Sequence, residues 1–214
     1  INDLKTKITN FLDNIFKSEN DEKLNLVLLG TVSAGKTRIA NSLLEYFSEE
    51  YKNLLKECVA ENTLFYLIIE RSENDQISLT KGVLTSHFQT VKELKVELLK
   101  LDREGAEIRE KIKKSELEGI DIDEFEAQCI VIKLPKIPPS IRIVDTPGPS
   151  LKHFQVKIAD FLKNSFMNIL LYIVTTDNKS SLDLGEGRLL KSINKNNVHQ
   201  FVYPIINKID CLDK

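Results

Sequence analysis

The eight residues Gly30-Thr-Val-Ser-Ala-Gly-Lys-Thr37, set directly after the apolar run Leu24–Leu29, constrain this chain more than any other feature. They fill every fixed position of the pattern G-x-x-x-x-G-K-[ST], and a helix-like stretch follows from Lys36 to Phe47. The order is a buried strand, a tight turn and a helix. Gly30 and Gly35 let the backbone turn sharply, so that successive N–H groups of Ser33, Ala34, Gly35, Lys36 and Thr37 converge at a helix N-terminus. Such a concavity takes a phosphate. Lys36 then reaches the outer phosphates, and the Thr37 hydroxyl serves Mg²⁺, a hard ion that combines a few protein oxygens with phosphate and water.

Two later strings complete a constellation. Asp145-Thr-Pro-Gly148 ends the strand-like run Ile141–Val144. Taken alone it has a turn's composition. After a phosphate loop, Asp145 reads as a metal-site residue that holds a Mg²⁺-bound water and the Gly148 N–H as a donor to a third phosphate. Asn207-Lys-Ile-Asp210 closes the apolar run Phe201–Ile206. A carboxylate only accepts hydrogen bonds, so Asp210 suits the N1–H and exocyclic amine of guanine and is left unpaired by adenine. Lys208 would lay its aliphatic stem along the base, and Asn207 would tie this loop to the phosphate loop. The three strings together predict a site for GTP or GDP with Mg²⁺.

Composition narrows the remaining classes. The 214 residues are 42% hydrophobic and 29% charged, enough for one large domain, or one domain with an appendage. A formal net charge of -2 leaves no basic footprint for nucleic acid. Cys58, Cys129 and Cys211 lack any C-x-x-C spacing and read as reduced thiols, while His87, His153 and His199 are too dispersed for zinc. No signal-peptide pattern opens the chain, and the run Ile169–Val174 is too short to cross a membrane.

Along the chain, Leu4, Ile8, Phe11, Leu12 and Ile15 recur at helical spacing, predicting an amphipathic helix over residues 1–22 that needs a partner surface. Leu64–Glu70 reads as a strand, followed by a polar turn at Ser72–Gln76. From Val91, the residues Leu94, Leu98, Leu101, Gly105, Ile108 and Ile112 form a short heptad seam, read as a helix packed on the edge of its own domain, with a stalk contact as the alternative. Cys129–Leu134 and Ile141–Asp145 read as strands joined by a hairpin-like connection, predicting an antiparallel pair. Beyond Pro149, a helix over Phe154–Asn164, the strand Ile169–Thr175, a further helix and the last strand alternate. The predicted fold is α/β: a doubly wound, mostly parallel sheet of the P-loop GTPase kind, with one antiparallel strand pair and flanking helices.

The motif order, the Ser33-Ala-Gly-Lys-Thr37 form of the loop, and the Leu134-Pro-x-x-Pro-Pro lead-in to Asp145-Thr-Pro-Gly148 resemble the GTPase domain of the dynamin superfamily, bacterial dynamin-like proteins above all. The likeness spans Leu24 to Asp210. The long separation of Thr37 from Asp145 also matches that family, whose domains are enlarged there. The resemblance implies a neck-like helix at 1–22 and a GTPase domain from 23 to 214, with a helical insertion at about 88–116 and its C-terminal part missing. It implies a switch threonine that completes Mg²⁺ coordination, best matched by Thr63, with Thr80 and Thr85 as weaker candidates. It also implies a loop serine near the bridging oxygen, matched by Ser33. Hydrolysis would then rest on Ser33, Lys36 and Thr63, and metal binding on Thr37, Thr63 and Asp145.

Two positions depart from that pattern. Val32 stands where many members carry a polar or arginine side chain, and Pro149 follows Gly148, so neither a glutamine nor an N–H is available there. Both imply slow intrinsic turnover. The resemblance further implies a homodimer through the nucleotide face, membrane remodelling through lipid-binding regions outside this chain, and a cytoplasmic protein peripheral to a membrane. The competing expectation is a nucleotide-binding assembly scaffold with little or no hydrolysis.

Overall fold

Eight strands form one mixed sheet in a computed structural model that describes residues 23–30, 34–56, 65–118, 129–147, 167–175 and 200–207, with Leu162 and Lys191. The strands are β1 (Leu24–Gly30), β2 (Tyr66–Arg71), β3 (Ile77–Lys81), β4 (Leu84–Phe88), β5 (Cys129–Leu134), β6 (Ile141–Asp145), β7 (Met167–Thr175) and β8 (Gln200–Asn207), and their lateral order is β4-β3-β5-β2-β6-β1-β7-β8. The β1–β6, β1–β7, β7–β8 and β2–β5 pairings are parallel. The β2–β6, β3–β5 and β3–β4 pairings are antiparallel.

The predicted α/β sheet is thus present, but the antiparallel pairing falls elsewhere than expected. β5 and β6 run in opposite directions, yet β2 lies between them and bonds to both. The connection is therefore an arch over the end of β2. It is anchored by fully buried Ile137, by an Ile141 N–H to Pro138 carbonyl bond of 3.1 Å, and by the Ser72 N–H donating to the Leu134 carbonyl at 3.1 Å. The Ser72–Gln76 turn leads into β3, and β3 with β4 forms a hairpin whose outer strand is exposed apart from half-covered Phe88.

The side chains of β1 divide by parity. Leu24, Leu26 and Leu28 enter one core cluster, and Val27 and Leu29 enter another, as period-two alternation requires of a strand covered on both faces. The first cluster also holds Ala40 and Leu44 of helix α1 (Lys36–Phe47) and Leu94, Leu98 and Leu101 of helix α2 (Val91–Glu118). Both helices therefore lie on the same face of the sheet. Ile141 and Ile143 of β6 belong to that face too, while Val144 faces the other way. The next odd residue is Asp145, which parity turns toward the helices.

Local chemistry explains how α2 begins. The Thr90 hydroxyl accepts from the Glu93 N–H at 3.3 Å, which satisfies one orphaned donor of the first turn, and the Glu93 carboxylate accepts from the Gln89 N–H at 2.8 Å just before the helix. The heptad seam of α2 is buried within the chain at Leu94, Leu98, Leu101 and Ile112, as the edge-packed reading expected. Among the described residues, no helix is long and apolar enough to cross a membrane. The helices expected over 1–22 and 154–164 fall outside the described residues, Leu162 apart.

Candidate functional site

The ends of β1, β6, β7 and β8 point the same way, so Gly30, Asp145, Thr175 and Asn207 gather at one edge of the sheet. This is the carboxyl edge, where open α/β sheets carry ligands. β1 and β8 are two strand spacings apart, about 10 Å.

Gly30 leaves β1 with φ of 147°, and its glycine identity has a second cause besides the turn. A Cβ there would sit 2.5 Å from the Ile173 carbonyl oxygen of β7, closer than any side-chain carbon tolerates. Gly35, at φ 94° and ψ 22°, occupies the left-handed region immediately before α1, and Ala34 beside it is fully buried. The loop lysine is nearly buried, at 7% exposure, and its ammonium donates to the Gly30 carbonyl at 2.9 Å. Lys36 is thereby folded across the turn that precedes it.

Thr37, one residue on, donates its hydroxyl to Oδ2 of Asp145 at 2.8 Å. Asp145 is wholly buried, and its backbone is flanked by Leu28 of β1 and Leu67 of β2. Burial pushes its carboxyl up to about 6, with the Lys36 ammonium and the Thr37 hydroxyl pulling partly back. Its other oxygen, Oδ1, has no hydrogen-bond partner among the described residues. A buried, half-satisfied carboxylate beside a hydroxyl supplies oxygen ligands of the type a hard divalent cation takes.

Further contacts that the motifs do not announce hold these groups in place. The Thr146 hydroxyl donates to the Leu28 carbonyl at 2.6 Å, pinning the end of β6 to β1. Buried Asn41 of α1 binds the backbone of Leu55 twice, donating to its carbonyl at 2.8 Å and accepting from its N–H at 2.9 Å. That clamp fixes the chain as it leaves a short 3-10 turn, Glu49–Tyr51. No sequence signal marks Asn41; in a helix interior it reads as an ordinary polar position. Asp102 of α2 was likewise unmarked, yet it lines the cavity that reaches Thr37 and Asp145.

Of the residues singled out from sequence, the structure brings together Gly30, Ala34, Gly35, Lys36, Thr37 and Asp145, and sets Asn207 at the same sheet edge. Ser33, Thr63, Gly148, Lys208 and Asp210 lie outside the described residues. Thr80 and Thr85 are excluded from the site. They face each other across the β3–β4 hairpin with hydroxyl oxygens 3.0 Å apart, and β3 is four strand spacings, about 19 Å, from β1. Among the described residues, no group of three or more His, Cys, Asp or Glu forms a metal cluster of its own.

Sheet, loop and buried aspartate together define the class: an α/β fold of the P-loop GTPase kind. Within that class the fold is dynamin-like. The chain matches a solved structure described as "An oligomerised bacterial dynamin pair provides a mechanism for the long range sensing and tethering of membranes" with a TM-score of 0.50 at 18% identity, over 90% of this chain and 27% of that one. This chain thus spans about a quarter of the solved protein's length. A second structure of the same description aligns over 97% of this chain and 42% of that one, at 14% identity and a TM-score of 0.37. No protein-family model matches the sequence, and no curated protein matches it.

Proposed function

We propose that this chain is the Mg²⁺-dependent GTP-binding and GTP-hydrolysing domain of a dynamin-like protein. The observation that carries the reading is the junction of Lys36, Thr37 and Asp145 at the end of β1, with one oxygen of a fully buried aspartate left without a partner among the described residues. An ion pair or apolar packing would have been the economical way to close that space. An orphaned carboxylate oxygen instead fits a cation.

In this reading Lys36 moves its ammonium from the Gly30 carbonyl to the phosphates, exchanging a neutral acceptor for a charged one. Thr37 and Asp145 would hold Mg²⁺, which would supply charge neutralisation at the phosphate oxygens. Gly35 and the amides that open α1 complete the cradle together with Ser33 and Gly148. Thr63 would add its hydroxyl to the metal site and orient the attacking water. Asn207, Lys208 and Asp210 take the guanine base. Residues 1–22 act as a neck-like helix, the region near 88–116 as the helical insertion, and 23–214 as the GTPase domain. The solved neighbours are an oligomerised dynamin pair that senses and tethers membranes, and this chain is assigned a corresponding role: dimerisation through the nucleotide face, coupled to membrane work by a cytoplasmic, peripheral protein. Lipid contact belongs to segments outside this chain.

Calorimetric titration with GDP and ADP, with and without Mg²⁺, tests the assignment. GDP binding that strengthens with Mg²⁺ and exceeds ADP binding by two orders of magnitude or more is expected. Equal binding of the two, or none, overturns it.

A further inference from the structure

At the lateral edge of the sheet farthest from β8, strand β4 has a neighbour on one side only, and its side chains from Leu84 to His87 are exposed. Such an edge offers its outward N–H and C=O groups to any chain that can pair with it, and proteins ordinarily guard it with lysine, proline or a bulge. The run Leu84-Thr-Ser-His-Phe88 has none of these, and it carries no carboxylate or ammonium. Lys81, across the turn, is already held by Glu104. The β3–β4 register fixes which groups face outward. The turn is two residues long, Gly82-Val83, with Gly82 at φ 61°, and it closes on Lys81 and Leu84. Hydrogen-bonded and non-bonded pairs alternate from there, so Thr80 and Thr85 form a non-bonded pair, the kind that brings side chains closest. Their hydroxyl oxygens lie 3.0 Å apart, as that pairing requires. The N–H and C=O of Thr85, and of His87 two residues on, therefore point away from β3.

The order of residues then selects the partner. About Ser86 the strand is symmetric in kind, with apolar Leu84 and Phe88 outermost and polar Thr85 and His87 inside them. An antiparallel second copy centred there sets Thr85 opposite His87, so that the outward groups of both strands are satisfied, sets Leu84 opposite Phe88, and brings no like charges face to face. Phe88 already packs on the first core cluster, so Leu84 of the second copy, 74% exposed in the single chain, extends that cluster across the junction. We propose that β4 pairs with β4 of a second copy of this chain, antiparallel about Ser86, joining two eight-stranded sheets into one. One short strand a side is far smaller than the roughly 20–30 residues a side of a stable interface, so the pairing is reversible and depends on concentration. β4 lies five strand spacings, about 24 Å, from β1, so the pairing stands apart from the nucleotide reading. A chain that also met a copy through its nucleotide face would have two separate self-contacts, which extend a row of copies where either alone closes a pair.

The test is sedimentation of the full chain from micromolar to near-millimolar concentration, free of nucleotide and in EDTA, together with disulfide trapping under mild oxidation. A two-fold axis at Ser86 brings the two Ser86 Cα atoms to about 4.5 Å, within disulfide reach, and leaves the two Thr85 Cα atoms more than about 7 Å apart. Ser86→Cys should therefore give a linked dimer that wild type, with its native cysteines, does not give, and Thr85→Cys should not. His87→Pro removes an outward N–H without touching the ladder to β3, and Leu84→Lys sets a charge against Phe88. Each should weaken association by about tenfold or more while the far-ultraviolet spectrum stays that of wild type. Wild type that is monomeric throughout, a cysteine at 85 that links as readily as one at 86, or association unchanged in Leu84→Lys overturns the proposal.

Discussion

Thr37 and Asp145, 108 residues apart, are joined by a 2.8 Å hydrogen bond from hydroxyl to carboxylate. The bond links the first turn of α1 to the last residue of β6, and it exists because strand parity turns Asp145 toward the helix face. Lys36, Thr37 and Asp145 thus form one unit whose charge balance depends on a buried carboxyl.

That carboxyl gives the nucleotide-free protein a pH dependence of definite sign. Burial raises Asp145 from 3.8 to about 6, so the folded state binds the proton more tightly than the unfolded chain does. The resulting stability is fully present below 3.8 and is lost as pH rises through about 6. Asp145→Asn, which carries no charge at any pH, should therefore gain on wild type between about pH 4 and pH 7 by roughly 1–3 kcal/mol in EDTA. Urea unfolding of both proteins across that range checks this, and a pH-independent difference would contradict it.

Lys36→Ala should weaken both binding and folding. The ammonium donates to the Gly30 carbonyl and offsets the charge of buried Asp145, so its removal should cost apo stability about 1–3 kcal/mol. Loss of its charged contact to phosphate should weaken GDP binding by roughly tenfold to a hundredfold or more. Calorimetry and urea unfolding on the same preparation read both effects.

Gly30→Ala should fail for a reason that lies in the sheet. The added Cβ meets the Ile173 carbonyl at 2.5 Å, and a φ of 147° already disfavours any side chain. A loss of roughly 1–3 kcal/mol in unfolding free energy is expected, with GDP affinity reduced as β1 and β7 are pushed apart. A variant as stable as wild type would show that the strands can separate freely.

Asn41→Ala should strand two buried backbone groups of Leu55 at once. A destabilisation of about 2–4 kcal/mol follows, large for one exchange of a polar residue in a helix. Chemical denaturation measures it directly, and a change under about 0.5 kcal/mol would mean that water replaces the clamp.

How much of this was legible in the sequence depends on the range of the interactions. The strand–loop–helix unit at Leu24–Phe47 was readable because its glycines, its lysine and its apolar run are contiguous. That Thr37 and Asp145 would lie at one site was readable from the motifs, which assign both to the same hard cation, whereas the direct hydrogen bond between them was not. The β3–β4 hairpin escaped notice because β4 is exposed at four of its five positions, which leaves almost no apolar alternation to read. The β5–β6 connection looked like a hairpin because proximity in sequence suggested pairing, and only the tertiary fold inserts β2 between them. Asn41 and Asp102 were invisible for the same reason: only folding brings the first to Leu55 and the second to the cavity lined by Thr37 and Asp145.

The decisive measurement is phosphate release from GTP and from ATP, with Mg²⁺, over a dilution series of the full chain. Release is expected from GTP but not ATP, dependent on Mg²⁺, with a specific rate that climbs with protein concentration as nucleotide faces meet. GTP bound but never hydrolysed at any concentration, or ATP hydrolysed equally well, would contradict the proposed function.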